Sequence, residues 1–225
     1  MSTALKIDFV SDVSCPWCVI GLRGLTEALD QLGSEVQAEI HFQPFELNPG
    51  MPAEGQNIVE HITEKYGATA EQQAQSREMI RQRGSDVGFV FEMERRGRIY
   101  NTFDAHRLLA WAEEIGRQRD LKMALFEAYF THCEDPSNHD ALLRAVERIG
   151  MDVETAARIL QSSDYADEVR EREQFFQRAG IQSVPAVIIN QRHLISGGQP
   201  PEVFEQALRD IAARIEAAPE APAQQ

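Results

Sequence analysis

The spacing of apolar residues changes twice along the 225-residue chain, and that change limits the folds open to it. Residues 5–10 alternate, with Ile7 and Phe9 set between Lys6 and Asp8, which is the period of two that a strand requires. After a turn at 11–14, Pro16 suits the first position of a helix, where its missing N–H costs nothing. Val19, Leu22, Leu25, Ala28, Leu29 and Leu32 then recur at steps of three and four, and Gly33 closes the run. Residues 36–45 return to alternation, with Val36, Ala38, Ile40 and Phe42 on one face, before an irregular loop at 47–52. Strand, helix, strand is most simply a parallel pair joined by a right-handed crossover.

For about the next 120 residues helical spacing dominates. Helices are expected at 57–66, 69–84, 101–116, 118–133, 135–150, 152–161 and 164–179, while 84–93 is open between a loop and a short extended stretch. Residues 186–189 are continuously apolar, the pattern of a strand buried on both faces. A turn at 190–192 and a strand at 193–196 complete a hairpin. A last amphipathic helix runs over 200–215 through Val203, Phe204, Leu208, Ile211 and Ile215. The Ala-, Pro-, Glu- and Gln-rich end reads as a disordered tail. The order is therefore βαβ, a helical block, then ββα, and the two ends can share one sheet.

Apolar residues make up 43% of the chain and charged residues 26%, which excludes wholesale disorder. Twenty-two basic residues against 36 acidic ones leave a net charge of −14. Phosphate backbones and anionic bilayers repel such a chain, and no apolar run nears the roughly 20 residues that span a membrane. Neither nucleic acid nor membrane is an expected partner. The first residues lack a basic stretch followed by a long apolar one, so the expected location is cytoplasmic. The oligomeric state is left open.

Three cysteines are too few for a disulfide scaffold. Two of them form Cys15-Pro16-Trp17-Cys18, between the first strand and the first helix. Unpaired N–H groups and the positive end of the helix dipole meet a side chain there. A Cys15 thiolate is favoured at that place, so its pKa is expected to fall below the free value of roughly 8.5. Cys18, one turn on, can reach Cys15 and is expected to be the more buried. Pro16 sets the helix start, and Trp17 offers an aromatic surface to a peptide. Zinc needs about four ligands, and the other donors, such as His132 and Cys133, have no matching spacing, so no metal is expected. A pair of inert thiols is the remaining bland alternative.

Pro185 precedes the apolar strand at 186–189. Cis bonds occur at only about 5–6% of X–Pro positions, so the residues alone favour a trans proline at a strand start. Cys133 reads as a partly buried free thiol. Asp104, His106 and Arg107, within 103–107, divide evenly between lining a cleft and bonding internally. The charged run at 168–173 reads as a solvated helix face with i,i+4 pairs. His41 and Arg192 read as surface or strand-edge residues.

Together the Cys-Pro-Trp-Cys run after a first strand, the stretches at 45–49, 101–108 and 180–185, and the helical block resemble the DsbA family. Within it they resemble the FrnE branch, which is related to 2-hydroxychromene-2-carboxylate isomerases and kappa-class glutathione transferases. The resemblance implies an α/β thioredoxin fold (βαβ…ββα) with a large inserted all-helical domain. It implies a thioredoxin-like domain at 1–54 and 180–216, an inserted domain at 55–179 and a tail at 217–225. It further implies that Cys15 is the nucleophile, Cys18 the resolving thiol, Pro185 a cis-proline facing them, and Val184 a backbone partner for bound peptide. The implied activity is disulfide exchange with protein or small thiol substrates. No cofactor beyond the cysteine pair is implied, with glutathione as a candidate thiol partner. The isomerase and transferase relatives typically carry serine at the position of Cys15 and have no need of Cys18. A glutathione-dependent isomerase or transferase is the alternative, and a chaperone-like binding module the third.

Overall fold

A computed structural model describes residues 2–217. The first strand, β1 (Thr3–Ser11), is followed by helix α1 (Pro16–Leu32), a 3-10 turn at Gly33–Glu35 and strand β2 (Val36–Pro44). The chain returns to this layer with strands β5 (Ala186–Ile189) and β6 (His193–Ser196) and helix α9 (Pro201–Ala217). The sheet order is β2-β1-β5-β6, with β1 parallel to β2 and antiparallel to β5. Ile7 stands beside Ile40 on one side and Ile189 on the other, and Phe9 beside Phe42 and Val187.

Leu5, Ile7 and Phe9 send one face of β1 into a core shared with Leu22 and Leu25 of α1 and Phe204 and Leu208 of α9. The opposite face is covered too. Val10 and Ala186 pack with Phe176 of helix α8 (Ala166–Arg178). That second layer explains why the far half of β1 is buried at successive residues while the near half alternates.

Between β2 and β5 lie a two-residue strand β3 (Gln56–Asn57), helices α2 (Ile58–Tyr66) and α3 (Ala70–Asp86), and strand β4 (Arg98–Ile99). Helices α4 (Phe103–Glu114), α5 (Gln118–Phe130), α6 (His139–Arg148) and α7 (Val153–Gln161) precede α8. Caps mark several starts as side-chain chemistry demands: Asn57, Asn138 and Asp152 accept first-turn N–H bonds, and Thr69 and Gln72 form a capping box. Leu108, Leu121, Leu125, Leu142 and Val146 form a second core among α4–α7.

One open local expectation is decided and two are corrected. Residues 84–93 contain no strand; Phe89, Phe91 and Met93 are buried in a turn-rich segment, and the extended pair falls at β3 and β4. Ala217 belongs to α9, whose Glu216 accepts a 2.8 Å hydrogen bond from Thr3 Oγ1, and the rest of the expected tail lies outside the described residues. The run at 168–173 is only partly a solvated face. Arg172 pairs with Glu168 at 2.6 Å, but Glu173 is buried and Arg170 bridges it to Glu46. No helix among the described residues is long and apolar enough to cross a membrane.

Candidate active site

Cys15 is the N-cap residue of α1, with an extended backbone (φ −94°, ψ 114°) and Pro16 behind it. Its N–H donates to the Asp12 carbonyl at 3.2 Å, and its own carbonyl accepts from the Cys18 N–H at 3.1 Å. The first turn carries no acidic side chain that would oppose negative charge on sulfur. Cys15 is 4% exposed and Cys18 fully buried beneath it. Both are free thiols. Burial pushes the Cys18 thiol well up, and the adjoining Cys15 sulfur pushes it further, while the charge of Lys122 pulls the other way.

The Val184–Pro185 bond is cis. Its loop faces the pair: the Cys15 thiol lies 3.6 Å from the Val184 carbonyl oxygen. Two glycines of α1 make this approach feasible. A Cβ at Gly21 would stand 3.1 Å from Pro185 Cγ, and one at Gly24 only 2.8 Å from the Gln199 carbonyl oxygen. The strand-side loops therefore seat directly on the helix backbone.

A cleft of about 560 Å³ opens at the thiol of Cys15. Pro16, Trp17 and Val184 line it on the thioredoxin-like side, so four of the six residues singled out in the sequence share one cavity. Of the other two, Cys18 lies below Cys15 and Pro185 backs against Gly21. The rest of the lining comes largely from α2, α3 and the 93–99 segment, including His61, Lys65, Gln73 and Arg96. Lys65 donates to the Leu47 carbonyl and to Asn48 Oδ1, each at 2.7 Å, which ties α2 to the loop after β2.

Charge is also buried behind the cysteines. The Asp12 carboxylate accepts from Ser14 N–H at 3.0 Å and Leu47 N–H at 2.7 Å. His106 Nε2 lies 3.8 Å from it, so that contact is electrostatic rather than a hydrogen bond. Burial works to raise the Asp12 pKa, but His106 and the two N–H groups outweigh it and hold the carboxyl below its usual range. Lys122, on α5, is fully buried, and its Nζ has no hydrogen-bond partner among the described residues. Burial lowers its pKa to about 8, against the opposing pull of Cys18, Asp12 and Cys15.

The segment 103–107 does not line the cleft. Arg107 donates to the carbonyls of Ile159, Ser162 and Asp164 and to Asp104, which also meets His139. Asp104 and Arg107 are thus internal struts, and His106 points beneath the site. Cys133, partly buried, places its thiol 3.7 Å from the Glu92 carbonyl and pairs with no other cysteine. No group of three or more His, Cys, Asp or Glu side chains able to hold a metal occurs among the described residues.

Asp12, Lys122, Gln73 and Arg96 are not marked by the sequence as site residues, whereas His106 is weighed there only as a candidate cleft-lining residue. A lysine at an apolar helical position was the one visible signal, since Lys122 follows Leu121 and precedes Leu125 and Phe126.

Comparison with known proteins agrees with the fold. The chain is 26% identical over 207 residues to YwbO of Bacillus subtilis (strain 168), an uncharacterised protein, covering 92% of this chain and 96% of that one. The crystal structure of SCO1869 from Streptomyces coelicolor, described as a "probable DsbA oxidoreductase", has a TM-score of 0.86 at 30% identity, covering 96% of this chain and 93% of that one. A 2-hydroxychromene-2-carboxylate isomerase shares the fold, with a TM-score of 0.67 at 14% identity over 95% of this chain and all of that one. The DSBA-like thioredoxin domain matches residues 6–209, nearly the whole described chain, and the protein belongs to that family.

Proposed function

We propose that this protein is a thiol–disulfide oxidoreductase that works through Cys15 and Cys18. The observation that carries the reading is the pairing of one thiol at the cleft with a second, buried one directly behind it. A Cys15 thiolate, placed at the N-terminal mouth of α1, attacks one sulfur of a substrate disulfide. That S–S bond breaks, a thiolate leaves, and a Cys15–substrate disulfide forms. Cys18 then gives up its proton and attacks Cys15 Sγ, releasing the second substrate thiolate and leaving the Cys15–Cys18 disulfide. The substrate gains two electrons and the cysteine pair loses two. Run in reverse, the same steps oxidise a dithiol.

The Val184 carbonyl and the cis-proline loop offer an extended edge to a bound peptide. Thiol or disulfide proteins and peptides are the proposed substrates, with glutathione as a small-thiol partner. No other cofactor is required, since the two sulfurs store the electrons.

Mixed-disulfide trapping tests the reading. Cys15→Ser should abolish turnover of a disulfide probe. Cys18→Ser should keep the first attack and accumulate a covalent adduct. Because burial holds the Cys18 proton, release of that adduct in the wild type should quicken as pH rises from neutral to mildly alkaline. The isomerase relative supports a second reading, glutathione-dependent isomerisation of a small substrate. Full turnover by Cys18→Ser with no adduct would favour it. Suppression of aggregation that survives loss of both thiols would favour a chaperone instead. The reduction potential of the pair, set beside that of the cytosol, fixes the direction of electron flow.

A further inference from the structure

In the lining of the cleft that holds Cys15 stands an arginine with nothing to hold. Arg96 is 8% exposed, and its Nε and Nη1 are buried without hydrogen-bond partners among the described residues. No carboxylate lies within ion-pair distance of it among those residues. Its guanidinium rests instead over two adjacent aromatic rings, 5.1 Å from the Tyr129 centroid and 5.0 Å from that of Phe130. Stacking of this kind orients the planar fork but leaves its donors free. Buried donors of a charged group are rarely left unpaired without a purpose.

The same lining holds a second unpaired group of opposite polarity. Gln73 is 3% exposed, and its amide nitrogen donates to Val59 O, Thr63 Oγ1 and Ala68 O. Those three acceptors fix the orientation of the amide, so the buried Oε1 is an acceptor with no donor.

The charge of the cleft runs against that of the protein. The chain carries 36 acidic and 22 basic residues. Yet Lys65, Arg77 and Arg96 line the cleft with one acidic residue, Glu46; that carboxylate is already paired with Arg170, and Arg77 with Glu94 at 3.4 Å, which leaves Lys65 and Arg96 as the cleft's unpaired charges among the described residues. The net negative charge of the chain disfavours polyanions, while basic side chains in the cleft attract a carboxylate locally.

We propose that the wall formed by Arg96 and Gln73 is a substrate subsite for a carboxylate and a neighbouring N–H, so that the preferred substrate is a carboxylate-bearing peptide thiol or disulfide. The proposal rests on the thiol–disulfide exchange reading and adds substrate selectivity to it. The guanidinium takes the carboxylate, Gln73 Oε1 takes an amide or ammonium N–H, and the sulfur lies at Cys15 beside Val184. The carboxylate can come from a small peptide thiol or from an acidic side chain near a cysteine in a protein.

Steady-state kinetics on three disulfides tests this: neutral bis(2-hydroxyethyl) disulfide, glutathione disulfide, and a C-amidated cysteine peptide disulfide carrying one Glu. Arg96→Met should raise KM for the carboxylate probes by about 10- to 100-fold, the loss expected for a hydrogen bond to a charged group. The neutral probe should lose much less, so that kcat/KM for the carboxylate probes relative to the neutral one falls by about that factor. Arg96→Lys, which keeps charge but not the fork, should fall between. The effect on glutathione disulfide against the Glu peptide, and against its Gln counterpart, tells the two carboxylate sources apart. Equal losses on all three probes, or an unchanged KM for both carboxylate probes in a folded variant, overturn the subsite. A wild type that turns over no disulfide overturns the exchange reading alone. Calorimetric binding of S-methylglutathione and the S-methylated Glu peptide then decides the subsite without chemistry. Tighter binding of either than of the S-methylated Gln peptide, weakened by Arg96→Met or Arg96→Lys, supports it, and no such preference overturns it.

Discussion

At the scale of single residues, the buried ammonium of Lys122 carries a thermodynamic cost. Its pKa falls from 10.5 to about 8 because burial disfavours the charged form. That difference corresponds to roughly 3 kcal/mol against the folded state while the lysine is protonated. Between about pH 8 and 10.5 the unfolded chain binds a proton that the folded chain has shed, so this residue's contribution to stability rises with pH through that window. Lys122→Met should therefore be more stable than wild type at pH 7, by up to ~3 kcal/mol. The gain should vanish above about pH 10.5, where the wild-type lysine is neutral in both states. Urea midpoints at pH 7, 9 and 11 check this, and a lower midpoint for the variant at pH 7 would contradict it. Lys122 also shows where sequence reading stops. Its position among apolar residues was visible, but its nearness to Cys18 and Asp12 was not, because α5 reaches them from more than a hundred residues away. Cys15 and Cys18 differ: their spacing and their place at a strand-to-helix turn are local facts, legible without a partner segment.

At the scale of elements, α1 was legible nearly to the residue, since proline start, apolar spacing and glycine stop are all written locally. What was not legible is why its interior holds glycines, which cost a helix about 1 kcal/mol each relative to alanine. Gly24 answers that from the far end of the chain, where the Gln199 carbonyl would meet a Cβ at 2.8 Å. Gly24→Ala should accordingly lose stability despite alanine's better helix propensity. The overpacking cost of about 1–3 kcal/mol outweighs the gain. A thermal melt should fall by a few degrees, by the usual proportion for a chain of this size. The turn around Gln199 and the start of α9 at Phe204 should shift with it. The 84–93 segment stayed open in the sequence for the opposite reason. Its alternating Phe89, Phe91 and Met93 imitate a strand, but each packs into a core without a neighbouring strand to pair with.

At the scale of the whole molecule, α5 joins the two layers. Leu121 and Leu125 pack among α4–α7, while Phe126, Tyr129 and Phe130 pack with the sheet-side core. A helix with a face in each core should make them unfold together. One calorimetric transition is expected, with Leu121→Ala lowering it by about 3 kcal/mol without splitting it. Two resolved transitions would show that the layers are independent. The order of strands and helices, the helical insertion and the Cys-Pro-Trp-Cys run were determined by the sequence alone, because periodicity, caps and turn chemistry act over a few neighbouring residues. The cleft lining around Cys15, the buried charges behind Cys18 and the cis loop against α1 were decided only by tertiary structure. Each depends on segments distant in the chain that meet when separate apolar faces are buried together.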